Sequence, residues 1–110
     1  MREDDLNRLR HMLDAAEEAY GFAKDKRKAD LEENRMLVLA VLKDLEIVGE
    51  AANKVSSDTR RKCKTIPWCE IIGMRNRLIH GYFDIDYDIV YKTIVEDLPK
   101  LIEKLRKIVD

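Results

Sequence analysis

Arg75 is the residue of this chain whose type and surroundings most clearly indicate chemistry. If the segment around it is a regular helix, the neighbours at helical spacing are all apolar: Trp68, Ile71, Ile72, Leu78 and Ile79. A guanidinium on such a face would be buried, and an unpaired buried charge costs several kcal/mol. Arg75 is therefore expected to meet a carboxylate, a water-filled cavity between two copies of the chain, or a bound anion.

Two carboxylates are candidates for the partner of Arg75. Glu46 and Glu50 lie one helical turn apart, so both project from a single face of a helix. An internal bridge between arginine and glutamate with no catalytic task is the more common arrangement, and the spacing alone favours it.

His80 is the second residue that can do chemistry. Histidine changes its charge near neutral pH, so it can give or take a proton during a reaction. It lies five positions after Arg75, about 140° round a regular helix, so the two would not share a face. Either the helix ends early, or a second copy of the chain brings them together. A histidine before Gly81, which suits a left-handed helix end, is on its own more often structural.

The elements that position these residues are predicted to be helices. The 110 residues correspond to one domain, 1–110, with 45% hydrophobic and 39% charged residues. Only four Gly and two Pro are present, and good helix formers dominate. We predict an all-α fold, an antiparallel bundle of four to five helices.

Four helical stretches can be located along the chain. Apolar residues at positions 6, 9, 13, 16 and 20 mark the first, which Gly21 is expected to end. A second covers about residues 31–55, and a third begins at Pro67 and ends near residue 79 with Gly81 as its cap. Carboxylates at positions 84 and 86 are expected to start the last stretch, which Pro99 divides or kinks.

Residues 36–42 are apolar on every side of the second helix. Such a helix is normally covered on more than one side, and a chain this short has few helices for that. A second copy of the chain is a reasonable cover, so a homodimer is predicted.

Several classes of site and location are disfavoured. Cys63 and Cys69 fit neither a CxxC pair nor a zinc site, and Asp84, Asp86 and Asp88 lack the glycine and glutamate of a calcium loop. No phosphate-binding or zinc-protease motif occurs, so neither a metal nor a cofactor is expected. No apolar run approaches the about 18 residues of a membrane span, so a cytoplasmic protein is predicted.

Residues 66–82 resemble the signature region of HEPN-superfamily proteins of the HepT type. Arg75, four intervening residues and His80 match the Rx4–6H motif of that family, with Asn76 after the arginine and Tyr82 completing the form RxxxxHxY. Residues 46–52 and 85–99 resemble further blocks of the family. The resemblance covers most of the chain, and residues 1–30 agree mainly in helical character.

The resemblance implies a homodimeric helical bundle that acts as a metal-independent endoribonuclease toxin, with two motifs meeting in a cleft between the protomers. It also implies an antitoxin, an MNT-type nucleotidyltransferase, which silences the toxin by transferring AMP to the motif tyrosine. Tyr82 matches that acceptor. Either Glu46 or Glu50 corresponds to an acidic residue of the family's second helix.

RNA cleavage without metal suits these residue types. His80 can act as base or acid, Arg75 can hold the phosphate, and Asn76 can orient either group. Residues 60–82 carry six Lys or Arg and one Glu in a chain of net charge −1. This basic segment supplies candidates for contacts to the RNA backbone: Arg60, Arg61, Lys62, Lys64 and Arg77.

Two other functions remain open. The same fold can serve as a non-catalytic module that binds a nucleotide or a nucleotidyltransferase, because members of a fold often keep the shape of a site without its activity. A purely structural dimerising bundle ranks last, since it leaves Arg75, Asn76, His80 and Tyr82 without a role.

Overall fold

The computed structural model describes residues 1–79 and 84–110, and within them it is all-α, as predicted. Eight α-helices and one π-helical turn follow one another in these residues: α1 Glu3–Ala23, α2 Lys28–Glu33, α3 Arg35–Asn53, α4 Ser57–Lys62, α5 Trp68–Ile72, α6 Met74–Leu78, α7 Tyr87–Lys92, the π turn Thr93–Asp97 and α8 Leu98–Val109. None of these helices is long and apolar enough to cross a membrane. The number of bundle helices and the homodimer stay predictions.

The core lies between the three longest helices. α1 packs mainly against α3, and α8 packs against α1. Leu9 and Met12 of α1, Val41 and Leu45 of α3, and Leu105 of α8 are almost fully buried. Three of the five apolar positions that mark the first helix, Leu9, Leu13 and Ala16, are buried, so the periodicity identifies the core face of α1 correctly.

The first helix passes through Gly21, so the prediction that this glycine ends it is wrong. α1 continues to Ala23, whose side chain is buried in the core. A glycine inside a helix costs only about 1 kcal/mol relative to alanine. The last turn, which places Ala23 in the core, offsets that cost.

The stretch predicted as one helix over residues 31–55 is divided at Asn34. This residue is extended, with φ −109° and ψ 96°, and its side-chain oxygen accepts a hydrogen bond of 3.1 Å from the Leu37 N–H. Asparagine is a preferred residue at such helix starts, because its side chain satisfies a backbone donor that the helix leaves free. Asn34 thus ends α2 and starts α3.

A buried carboxylate connects the start of α1 to the start of α4. Asp5 accepts hydrogen bonds from Ser56 N at 2.9 Å, Ser56 Oγ at 2.6 Å and Thr59 Oγ1 at 2.6 Å. The side-chain hydrogen bonds from Ser56 and Thr59 lower the pKa of Asp5 to about 2. The carboxylate therefore stays ionised at neutral pH and holds the chain between α3 and α4 against α1.

The third predicted helix is two short helices separated at Gly73. α5 ends at Ile72, and α6 begins at Met74. Both pack against α3, where Gly49 allows a close approach, because a Cβ at position 49 would lie 3.2 Å from the Ile71 carbonyl oxygen. The absence of a side chain at Gly49 lets α5 lie directly on α3.

The last helical stretch begins as predicted at Asp86, whose side chain accepts a hydrogen bond of 3.1 Å from Ile89 N. It is not one regular helix, because the π turn lies between α7 and α8. Pro99 is in the first turn of α8 and has no N–H to donate to the carbonyl of residue 95. The predicted effect of this proline is confirmed, and the irregularity lies in the turn before it.

Candidate functional site

Arg75 is exposed on the surface of α6, so the expectation of a buried guanidinium is wrong. The expectation of an apolar surround requires residues 68–79 to form one continuous helix. In the structure the helix is interrupted at Gly73, and Ile79 is already extended, with φ −128° and ψ 117°. The apolar residues before and after Arg75 therefore do not surround it. Met74 and Leu78 are the residues of α6 that enter the core.

The predicted internal bridge between Arg75 and a glutamate is not formed. Glu46 is half-buried and Glu50 is exposed on α3, and neither makes an ion pair with Arg75 in the described part of the chain. The guanidinium thus keeps its charge and its hydrogen-bond donors available at the surface. Of the three expected partners, a bound anion and a cavity between two copies remain.

Arg75 and Glu46 nevertheless line the same two hollows between α3 and α6. One hollow, of about 210 Å³, is also lined by Leu39 and Lys43 of α3 and by Ile79. Glu46 is therefore the acidic residue that shares both hollows with Arg75, and Lys43 adds a second cation to the first.

The other hollow, of about 240 Å³, lies toward the end of α3. Gly49 and Glu50 of α3 and Ile72 of α5 line it together with Arg75 and Glu46. Glu50 borders only this hollow, whereas Glu46 borders both. The close packing at Gly49 sets the width of this hollow, because it fixes the distance between α3 and the short helices.

His80, Gly81 and Tyr82 lie outside the described residues, so the motif histidine, the predicted helix cap and the motif tyrosine have no structural account. The ends of the described chain on either side do approach each other. Ile79 and Ile85 form an isolated antiparallel bridge, and Asp86 N donates to the Leu78 carbonyl at 2.8 Å. Since Ile79 is extended, the rotation of about 140° expected between Arg75 and His80 on a regular helix does not apply.

The predicted RNA-backbone residues have different surroundings. Arg60 Nη2 donates to the carbonyls of Ala52 at 3.1 Å and Asn53 at 2.8 Å, so this arginine satisfies the end of α3. Arg61 forms an ion pair with Asp58 on its own helix.

Lys62, Lys64 and Arg77 are exposed. Arg77 Nη2 donates to the Glu70 carbonyl at 2.7 Å. Arg77 follows Arg75 by two positions, about 200° round a helix, so the two arginines project from opposite sides of α6. The basic segment of the sequence does not form one face that includes all of its cations.

The other described side chains that could take part in chemistry are Asn76, the acidic residues and the two cysteines. Asn76 is exposed next to Arg75. Within residues 1–79 and 84–110 no group of His, Cys, Asp and Glu side chains could hold a metal ion. Burial raises the pKa of the Cys63 thiol, which makes it a poor nucleophile, whereas Cys69 is exposed.

Sequence reasoning missed Lys43 and Leu39 as lining residues of the site. Lys43 precedes Glu46 by three positions and Leu39 precedes it by seven, so all three share one face of α3. That spacing was the available signal. Leu39 belongs to the apolar run 36–42, whose composition indicates a dimer surface, and Lys43 directly follows that run.

The arrangement can hold an anion. An exposed guanidinium and a lysine face the space between α3 and α6, with a half-buried carboxylate between the two hollows. Arginine binds phosphate with two parallel hydrogen bonds, and it keeps its charge at any physiological pH. The apolar side chains of the same hollows exclude part of the water, which strengthens such contacts.

A family model and several relatives with significant sequence similarity all relate this chain to proteins named as ribonucleases. The family model described as ribonuclease HepT-like matches residues 12–108. A protein of Methanocaldococcus jannaschii named "Putative RNase" is 41% identical over 93 residues, covering 84% of this chain and 85% of that protein. Another "Putative RNase", from Caldanaerobacter subterraneus subsp. tengcongensis, is 35% identical over 100 residues, which cover 91% of this chain and 89% of that protein.

A further relative carries the family name itself. The "Probable ribonuclease HepT" of Thermococcus cleftensis is 46% identical over 71 residues, covering 62% of this chain and 64% of that protein. No solved structure matches the chain. The family model spans nearly all of the helices described above, including α3 and α6 with Glu46 and Arg75, and the chain belongs to the ribonuclease HepT-like family.

Proposed function

We propose that this protein is a metal-independent endoribonuclease toxin of a toxin–antitoxin pair. Its family membership supports RNA as the substrate class, because several relatives are named as RNases. The observation that carries the proposal is the exposed Arg75, which borders two hollows with Glu46 and makes no ion pair within the described residues. A phosphate of RNA is the anion that this guanidinium would bind.

The proposed reaction needs three groups. A base removes the proton of the RNA 2′-hydroxyl, and the 2′-oxygen attacks the adjacent phosphorus. An acid gives a proton to the 5′-oxygen as its bond to phosphorus breaks, which leaves a 2′,3′-cyclic phosphate and a 5′-hydroxyl. Arg75 stabilises the charge on the phosphorane. His80 is the proposed base or acid, a second His80 from the partner protomer takes the other role, and Asn76 orients them.

The test is cleavage of single-stranded RNA by the purified protein in excess EDTA. We expect products that carry a 2′,3′-cyclic phosphate, because the 2′-oxygen of the RNA, and not a water molecule, attacks the phosphorus. Cleavage that appears only after a divalent cation is added contradicts the proposed mechanism. RNA binding without cleavage under all conditions supports the alternative, a non-catalytic HEPN module that binds a nucleotide or a nucleotidyltransferase.

A homodimer is part of the proposal. Met36 is 82% exposed and Leu39, which lines one of the Arg75 hollows, is 45% exposed one turn later on α3. The described residues of one chain leave both side chains largely uncovered. Large apolar residues that are exposed side by side often mark interfaces. Dimerisation through these two side chains would bring two Arg75 side chains to one cleft.

Sedimentation at micromolar concentration should give about twice the 12.9 kDa of one chain. The double substitution Met36→Glu and Leu39→Glu is expected to yield monomers, because it places charges in the proposed interface, and to reduce RNA cleavage with them. Val95→Glu is the matched control, since Val95 is 42% exposed on the π turn and should leave the dimer intact. A wild-type monomer with full activity would exclude the composite site.

Tyr82 is the proposed site of regulation. Transfer of AMP from ATP to its hydroxyl by an MNT-type nucleotidyltransferase releases pyrophosphate and adds a phosphodiester and an adenosine two residues from His80. The added phosphate would occupy the Arg75 guanidinium and exclude RNA by charge and by volume.

The Tyr82→Phe protein should gain no mass on incubation with the nucleotidyltransferase and ATP, whereas the wild type gains one AMP. Tyr87→Phe and Tyr91→Phe are matched controls, because both tyrosines are half-buried in α7 and should not affect the modification. Intact-mass spectrometry distinguishes the proteins. Equal modification of the Tyr82→Phe protein and the wild type rules out this acceptor.

A further inference from the structure

A groove separates α5 and α6 from the π turn and α8, on the side of α6 that carries Arg77. It contains a cavity of about 110 Å³, and we call it the α6–α8 groove. Its floor is apolar and consists of Ile71, Met74, Leu98 and Leu101. An engineered cavity of about 150 Å³ holds a benzene molecule, so this one has room for a single apolar side chain.

The rim of the α6–α8 groove carries more positive than negative charge. Arg77, Lys100 and Lys104 line it, together with the carboxylates of Glu70 and Asp97. None of these five residues makes an ion pair with another described residue.

Two of the rim cations are held in place by backbone carbonyls. Arg77 Nη2 donates to Glu70 O at 2.7 Å, and Lys104 Nζ donates to Thr65 O at 2.8 Å. Carbonyl contacts orient these cations without neutralising them. The rim therefore presents two oriented cations above an apolar floor, and its five charged residues have a net charge of +1 (three cations less two carboxylates).

The π turn forms one wall of the α6–α8 groove. Thr93, which is 5% exposed, lines the cavity and donates its hydroxyl to the Ile89 carbonyl at 2.8 Å. Single π turns within helices occur frequently at functional sites. The groove also lies on the side of α6 opposite Arg75, and it shares no lining residue with the two Arg75 hollows.

We infer that the α6–α8 groove binds a segment of a partner protein that inserts one apolar side chain into the cavity and presents flanking carboxylates to Arg77, Lys100 and Lys104. A protein segment fits better than single-stranded RNA, because proteins bind unpaired bases largely by stacking them on aromatic rings, and none of the described residues that line this cavity is aromatic. The inference goes beyond the proposed function and does not depend on RNA cleavage.

The probe is a blocked synthetic peptide with a central leucine flanked on each side by two glutamates. Its binding is followed by NMR of the methyl groups of Met74, Ile71, Leu98 and Leu101. We expect the acidic peptide to shift these methyl resonances at submillimolar to millimolar concentration. The same peptide with lysine in place of every glutamate should shift them at least fivefold less at equal concentration.

Charge-reversal variants test whether the cations of the rim contribute to peptide binding. Lys100→Glu with Lys104→Glu should weaken binding of the acidic peptide by about fivefold or more, because two attractive charges become repulsive. Lys24→Glu with Lys26→Glu makes the same change in net charge at two exposed lysines after α1, neither of which lines the groove, and should leave binding within about twofold. A thermal melt of each variant confirms that it is folded.

Three outcomes would overturn the inference. The acidic peptide produces no shift at several millimolar, the acidic and basic peptides bind equally, or a single-stranded RNA oligonucleotide shifts the four floor residues more strongly than the acidic peptide does. The last result would assign the groove to the nucleic acid. None of these outcomes bears on metal-independent cleavage at Arg75, which is measured separately.

Discussion

RNA cleavage is expected to fall by a factor of about 100 to 10,000 when His80 is replaced by Ala, and by about 100 to 1,000 when Arg75 is replaced by Ala. The first change removes the proposed proton transfer, and the second removes the stabilisation of charge on the phosphorane. Arg75→Lys should recover only part of the activity, because lysine keeps the charge and loses the paired hydrogen bonds of the guanidinium. Initial cleavage rates in EDTA measure all three effects.

Two matched controls separate catalysis from general damage. His11 is the other histidine of the chain and is exposed on α1, and Arg10 is an exposed arginine of the same helix. His11→Ala and Arg10→Ala should cleave RNA like the wild type.

The exposed position of Arg75 makes its substitution a clean test. Surface substitutions usually change the free energy of unfolding by less than about 0.5 kcal/mol, so Arg75→Ala should unfold at the same denaturant concentration as the wild type. Undiminished cleavage by His80→Ala would place the active site elsewhere.

A second large effect is expected at Asp44, which has no role in the proposed reaction. Asp44 lies on α3 with 4% of its surface exposed, and its Oδ2 has no hydrogen-bond partner. Burial, with a contribution from the neighbouring Glu18 carboxyl, raises the pKa of Asp44 to about 6. The folded protein therefore favours the protonated form more strongly than the unfolded chain does.

The sign of the pH dependence follows from this raised pKa. Below about pH 4 the group is protonated in both the folded and the unfolded state, so it costs no stability. Between about pH 4 and pH 6 the unfolded chain ionises first, and stability is lost. Above pH 6 the loss is complete, on the order of 2–3 kcal/mol.

Asp44→Asn removes the ionisable group and keeps the shape of the side chain. We expect this variant to be more stable than the wild type by about 2 kcal/mol at pH 8, and to differ little from it near pH 4. Urea unfolding at fixed protein concentration, from pH 4 to pH 8, measures the difference. Asp14→Asn, a change of an exposed aspartate on α1, is the control and should follow the wild type. Parallel pH profiles for Asp44→Asn and the wild type would contradict the prediction.

The long helices and the core face of α1 were predictable from the sequence, because they depend on local properties. The apolar spacing of α1 and the capping carboxylate of Asp86 act within one or two helical turns. The core face of α3 was not predictable in this way, because residues 36–42 are apolar on every side. The residues of the motif were recognisable for the same reason, since Arg75, Asn76, His80 and Tyr82 lie within eight positions of one another. The ends of the helices were less predictable. α1 continues beyond Gly21 because Ala23, in its last turn, is buried in the core.

The surroundings of the site residues that the structure describes depend on the tertiary packing. The apolar residues near Arg75 suggested a buried guanidinium, but that inference assumed a continuous helix, and the interruption at Gly73 removes the assumption. Likewise, only the packing of α5 on Gly49 brings Arg75 to the same hollows as Glu46, some thirty positions earlier in the chain.

The approximate positions of the long helices and the residue types of the motif could therefore be read from the sequence. Periodicity and capping operate within a few residues, so they are visible in the order of the amino acids. It took the packing of the chain to show that Arg75 is exposed, that Arg60 satisfies the end of α3, and that Asp44 is buried with an oxygen that no described residue pairs. Burial and pairing depend on residues that lie far away along the chain, and their positions follow from the packing of all the helices together.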